Sequence, residues 1–201
     1  MTSITLFQKA QFTIAVVFAI FISDHRKKNK MFPLVNEKFT LAMKLCYLIP
    51  ICIYGYTLVT LDRLLAVDFF ALACTFIGTL LVVKAKADLA EYHTWTGYCS
   101  ETPRFVTTGI YAFVRHPLYT GIYLFIFGTA NVIAHVPWYL TLVALINLAY
   151  IMIFILWAAT KETQYLTQRF GGEFLKYKQQ VHPFLPLRKF QTATSQVSRN
   201  G

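Results

Sequence analysis

Long apolar runs alternate with short polar ones along this chain, and their lengths predict the architecture before any composition is counted. Residues 5–23 form a first run, 39–60 a second and 65–83 a third. A fourth covers 117–134 and a fifth 138–159. Each approaches the roughly 18–20 residues an α-helix needs to cross a bilayer. The pattern predicts an all-α, polytopic membrane bundle of about five transmembrane helices. Pro50 and Gly55 fall inside the second run, where membrane helices tolerate them better than soluble ones do. The third helix is expected to continue towards His93. His135-Val136-Pro137 reads as a short turn, and Trp138 and Tyr139 behind it as interfacial anchors. After the last run, residues 161–180 have helical character but are broken at Gly171-Gly172. The single domain is expected over 1–188, with a disordered Ser/Thr/Gln-rich tail over 189–201.

Composition agrees with this. The 201 residues are 56% hydrophobic, 16% aromatic and 14% charged, and mean hydropathy is +0.49. A soluble core would have to hide every apolar run at once. The net charge of +10 does not point to nucleic acid, because the basic residues sit between the runs, where anionic lipid and the positive-inside rule account for them. Sixteen of the 19 Lys and Arg fall in the first connection, the third connection and the segment after the last run. With five spans those segments share one side, leaving Lys9 and Arg63 opposite and Lys44 within a helix. The N-terminus is then expected outside and the C-terminus in the cytoplasm. The charged residues 24–30 after the first run mark it as a span, not as a cleaved leader. Cys46, Cys52, Cys74 and Cys99 lack close spacing, and no His, Cys and carboxylate set has metal-ligand spacing, so no metal is expected. Serine-hydrolase, dinucleotide and P-loop motifs are absent from the sequence.

Candidate chemistry gathers in residues 107–121, TTGIYAFVRHPLYTG. Pro117 suits the first turn of a helix and keeps His116 out of the α region, so an extended chain should turn helical there. The open N–H groups of that helix favour an anionic group, and Arg115 adds a forked, permanently charged donor. Glu162, just past the fifth run, would face the same side. Together they offer one locus for a carboxylate and one for an ammonium, the charge pair of an amino-acid headgroup. Tyr111 and Tyr119 bracket the corner and suit a purine or a hydroxyl contact. Tyr123 reads as an interface aromatic. His25, His93, His135 and His182 are scattered and give no site.

These residues carry a resemblance. TTGIY at 107–111 and VRHPLYTG at 114–121 are similar to the signature of the isoprenylcysteine carboxyl methyltransferase family, integral membrane enzymes with phospholipid methyltransferase relatives. Lys161-Glu162, Phe170-Gly171, Glu173-Phe174, Tyr177-Lys178, Val181 and Phe184-Leu185-Pro186 resemble its closing pattern. The resemblance covers about 84–186. It implies an S-adenosylmethionine site at the cytoplasmic membrane face, capped by the C-terminal segment. His116, Pro117, Leu118, Tyr119 and Tyr111 would line it, and Glu162 would meet the cofactor's amino group. Arg104, Phe105 and Val106 would add mainly backbone contacts, and Arg115 is the candidate catalytic residue. The acceptor would be lipophilic or membrane-delivered, with an isoprenylcysteine carboxylate or another lipid among the choices. Two departures bear on the acceptor. Thr163 stands where the family has a second glutamate, and Ala158 stands where carboxyl methyltransferases have an arginine one helical turn before Glu162. An NADPH-dependent membrane reductase and a non-catalytic lipid-interaction protein are the alternatives.

Overall fold

A computed structural model describes residues 3–23, 31–92, 94, 96–101 and 103–186. The basic stretch 24–30, His93, Trp95 and the expected tail lie outside the described residues. Among the described residues, seven α-helices form the bundle. They are α1 (Ser3–Ile22), α2 (Glu37–Cys46), α3 (Leu48–Thr60), α4 (Ala66–Leu89), α5 (Pro117–Thr129), α6 (Trp138–Phe170) and α7 (Gly172–Gln180).

Among the described residues, four helical stretches are long and apolar enough to cross a membrane: α1, the joined α2–α3, α4 and α6. The expected fourth run is shorter as an α-helix. It forms α5, 13 residues long, which a 3₁₀ segment (Ala130–Ala134) prolongs. At standard rises the two together reach about 30 Å, the thickness of a bilayer core. They run beside the whole of α4, because Asp88 near the end of α4 receives the Ile110 N–H while Asp68 near its start receives Asn131 Nδ2. They approach closely at Gly78 and Gly121, where a Cβ on Gly121 would stand 2.7 Å from the Gly78 carbonyl oxygen. Gln11 and Thr75 bridge α1 to α4 through a buried hydrogen bond of 3.0 Å.

The second expected span is not one continuous helix. Tyr47 separates α2 from α3, and Pro50 explains the break: it has no N–H for the Cys46 carbonyl four residues back, and its ring crowds that oxygen. The third helix likewise ends earlier than expected, at Leu89, followed by a 3₁₀ turn (Ala90–Tyr92). At 33 residues α6 is about 50 Å long, so its C-terminal third, Glu162 included, lies beyond the apolar stretch.

A two-stranded antiparallel ladder is the feature without a sequence signal. β1 (Met31–Pro33), before α2, pairs with β2 (Tyr98–Ser100), between α4 and α5. Val114 and His182 form a further, parallel bridge. The first connection, the third connection and the C-terminal segment therefore meet at one end of the bundle, as the charge partition requires.

Candidate functional site

That end holds the corner between the third connection and α5. Gly109 starts a short 3₁₀ turn (Gly109–Ala112) with φ +60, and its Cα sits against the Asp88 carboxylate, where any Cβ would collide. Asp88 accepts the Ile110 N–H at 2.8 Å and so pins the turn to the end of α4. This fixes Tyr111, whose carbonyl accepts the Tyr177 hydroxyl at 2.7 Å. Pro117 then opens α5 with His116 as its N-cap, at φ −124 and ψ 59, outside the α region as expected.

The C-terminal segment after α7 is laced to this corner. The Arg115 N–H donates to the His182 carbonyl and the His116 N–H to the Pro183 carbonyl, both at 2.9 Å. Thr120 Oγ1 donates to the Phe184 carbonyl at 3.0 Å. Phe105 wedges its ring against Phe170, Phe174 and Tyr177, tying the connection to α6 and α7.

Glu162 lies in the middle of this. Its carboxylate accepts the Tyr119 hydroxyl and stands 3.6 Å from His116 Nδ1. His116 Nε2 is 3.1 Å from Thr163 Oγ1. His116 is 7% exposed and Tyr119 and Tyr111 are 6%, whereas Glu162 keeps 29% of its side chain accessible. Burial, with Arg115 next to it, pushes the His116 imidazole down to about 3, so it is neutral. Both neighbours of the carboxylate are thus uncharged, and among the described residues no Lys or Arg lies within 4 Å of it. Leu118 and Tyr119 are at the start of α5, where backbone N–H groups have no intrahelical partner.

His116, Pro117, Tyr119, Tyr111 and Glu162 are thus brought together, with Leu118 buried behind them at 9% exposure. Arg115 departs from the sequence reading. Its Nε donates to the Val181 carbonyl at 2.9 Å, so the side chain serves the C-terminal segment, and its Nη1 is buried without a partner among the described residues. Arg104 is exposed, donating to the Tyr92 hydroxyl at 2.8 Å, and Val106 packs on the core beside Phe105. Ala158 is fully buried between helices, leaving no room for a longer side chain. Sequence reasoning missed three participants: Asp88 as the anchor of the Gly109 turn, Gly97, whose backbone meets the Tyr119 hydroxyl, and Cys99, close enough to Glu162 to feel its charge, with burial pushing the thiol up to about 12.

Next to this corner a cavity of about 530 Å³ opens between α1, α2–α3, α5 and α6, lined by Phe18, Tyr47, Tyr54, Ile122, Phe125 and Leu148 among others. Ile122 is one turn beyond Tyr119, and Thr96, also in the lining, adjoins Gly97. The volume lies within the roughly 300–1,000 Å³ typical of small-molecule sites.

A model of a phospholipid methyltransferase family covers residues 67–173, just over half of the chain. No curated protein matches it. The matched stretch opens at the start of α4 and closes on the first turn of α7, so the 107–121 corner and Glu162 both fall inside it. The chain therefore belongs to the phospholipid methyltransferase family of integral membrane methyltransferases.

Proposed function

We propose that this protein transfers a methyl group from S-adenosylmethionine to a lipophilic acceptor, at the end of the bundle where α5 begins. The observation that carries the proposal is Glu162, an acid that burial pushes up to about 7, with two neutral neighbours and, among the described residues, no Lys or Arg within 4 Å, beside the start of α5. An α-amino acid headgroup supplies what each side lacks, an ammonium for Glu162 and a carboxylate for the N-terminus of α5. Tyr111 and His116 offer flat faces for the rest of the nucleoside. When bound, S-adenosylmethionine supplies an electrophilic methyl group on a sulfonium.

The chain's own part is positioning. Tyr119 and His116 hold Glu162 in place, Pro117 sets the direction of α5, and the laced C-terminal segment covers the corner from the aqueous side. In-line transfer depends on alignment, which in favourable systems contributes about 7–11 kcal/mol. The apolar cavity beside Ile122 suits the acceptor's hydrocarbon part and keeps water from the reacting atoms. Ala158, buried where an arginine would be needed for a carboxylate, favours a lipid headgroup over an isoprenylcysteine carboxylate. By the positive-inside rule this end faces the cytoplasm, with the N-terminus outside.

The test is incubation of membrane extract with the purified protein and a deuterated methyl donor, followed by mass spectrometry of the lipids. The expected result is a lipid-soluble product three mass units heavier than its unlabelled methyl counterpart. Label that appears in no extractable product would refute the proposal.

A further inference from the structure

At the opposite end of the bundle a second cavity, about 240 Å³, is bordered by Thr57, Thr60, Asp62, Arg63 and His135, none of which the methyl-transfer site uses. We propose that this cavity holds the zwitterionic headgroup of a membrane phospholipid, with Arg63 on its phosphate and Asp62 on its ammonium. The proposal is independent of the methyltransferase reading.

The cavity is a built feature rather than a gap between loops. Behind it Asp68, fully buried, accepts the Leu65 N–H at 2.7 Å, Asn131 Nδ2 at 2.7 Å and His135 Nε2 at 2.9 Å. These bonds occupy the carboxylate and lock the imidazole against the cavity wall, joining the α3–α4 turn to the segment before α6. The hydroxyls of Thr57 and Thr60 donate to the carbonyls of Ile53 and Tyr56, each at 2.9 Å. Both residues line the cavity, and their hydroxyl oxygens keep acceptor capacity, as an ammonium prefers.

Asp62 and Arg63 are exposed and make no ion pair with another described residue. One positive and one negative side chain at a single polar cavity match a ligand that also carries both charges. They match an anionic lipid less well, because Asp62 would repel it. Depth makes the ligand a lipid rather than a soluble ion. Trp138 is 77% exposed and Tyr139 54%, side chains that settle at the membrane–water boundary. Val59, 81% exposed on the neighbouring turn of α3, continues the surface into the apolar layer where acyl chains would lie.

Native mass spectrometry of the full chain from detergent micelles tests this, with dihexanoyl-phosphatidylcholine, dihexanoyl-phosphatidylglycerol and inorganic phosphate as probes. The choline lipid is expected to bind at least tenfold more tightly than the glycerol lipid, and phosphate alone not to bind. Arg63→Gln should lose the choline lipid, and Asp62→Asn should erase the preference between the two lipids. Glu162→Ala should change neither, which keeps this site distinct from the methyl-transfer site. Equal binding of both lipids to the unaltered protein, binding of phosphate alone, or an Arg63→Gln variant that behaves as the parent would overturn the proposal.

Discussion

Glu162 carries the cofactor proposal at the scale of single residues, because its neighbours bond to it without balancing its charge. Glu162→Gln keeps the shape and the Tyr119 contact but removes the charge, so S-adenosylmethionine should bind at least tenfold more weakly, about 1.4 kcal/mol. His135→Ala, at the other end, should leave that affinity unchanged; equilibrium dialysis with labelled cofactor compares the two. His116 gives a pH signature. Its folded value is about 3, against about 6.5 in an unfolded chain. Between those values the unfolded chain binds a proton that the folded one refuses. Stability is therefore complete above pH 6.5 and falls as pH drops towards 3. At pH 5 the loss from this group is at most about 2 kcal/mol, and His116→Gln should flatten that part of the profile in denaturant titrations.

Which of these residues the sequence revealed follows from how each is held. His116, Pro117 and Tyr119 lie within one turn at the start of α5, so local rules for a helix start sufficed to single them out. Glu162 was legible because a carboxylate ends an apolar run. Gly97 and Cys99 reach the site only through pairing across the bundle, which no local pattern encodes. The partner of Arg115 was illegible for the same reason: the Val181 carbonyl comes from a segment 66 residues away.

Between elements, the α4–α5 seam sets where the corner stands. A Cβ on Gly121 would meet the Gly78 carbonyl and the Val82 backbone nitrogen at 2.7 and 2.9 Å. Gly121→Val should accordingly cost stability at the upper end of the roughly 1–3 kcal/mol usual for overpacking, measured by thermal unfolding in detergent. The C-terminal lacing is a softer element. Tyr177→Phe deletes the bond to the Tyr111 carbonyl, worth about 1 kcal/mol. Amide exchange over residues 172–186 should speed up while the bundle helices stay protected. Apolar run lengths announced most helices, and Gly171-Gly172 announced the α6–α7 break. The β1–β2 ladder stayed hidden because three-residue strands carry no periodicity and pair across more than sixty residues. The split at Tyr47 was readable in principle from Pro50, but tolerance of proline in membrane helices argued the other way.

For the whole molecule, the ladder and the Val114–His182 bridge hold residues 31–33, the third connection and the C-terminal segment at one end, and the Asp68–His135 cluster marks the other. Single cysteines introduced at Arg104 and at Asp62, in a background free of the native cysteines, should label from opposite sides of sealed vesicles. Labelling of both from one side would contradict the bundle's polarity. The most direct measurement remains calorimetric titration of the purified full chain in detergent, with S-adenosylmethionine and, separately, with NADPH. The account predicts saturable binding of S-adenosylmethionine at one site per chain and no binding of NADPH. A chain that ignores S-adenosylmethionine, or that takes up NADPH in its place, would contradict it.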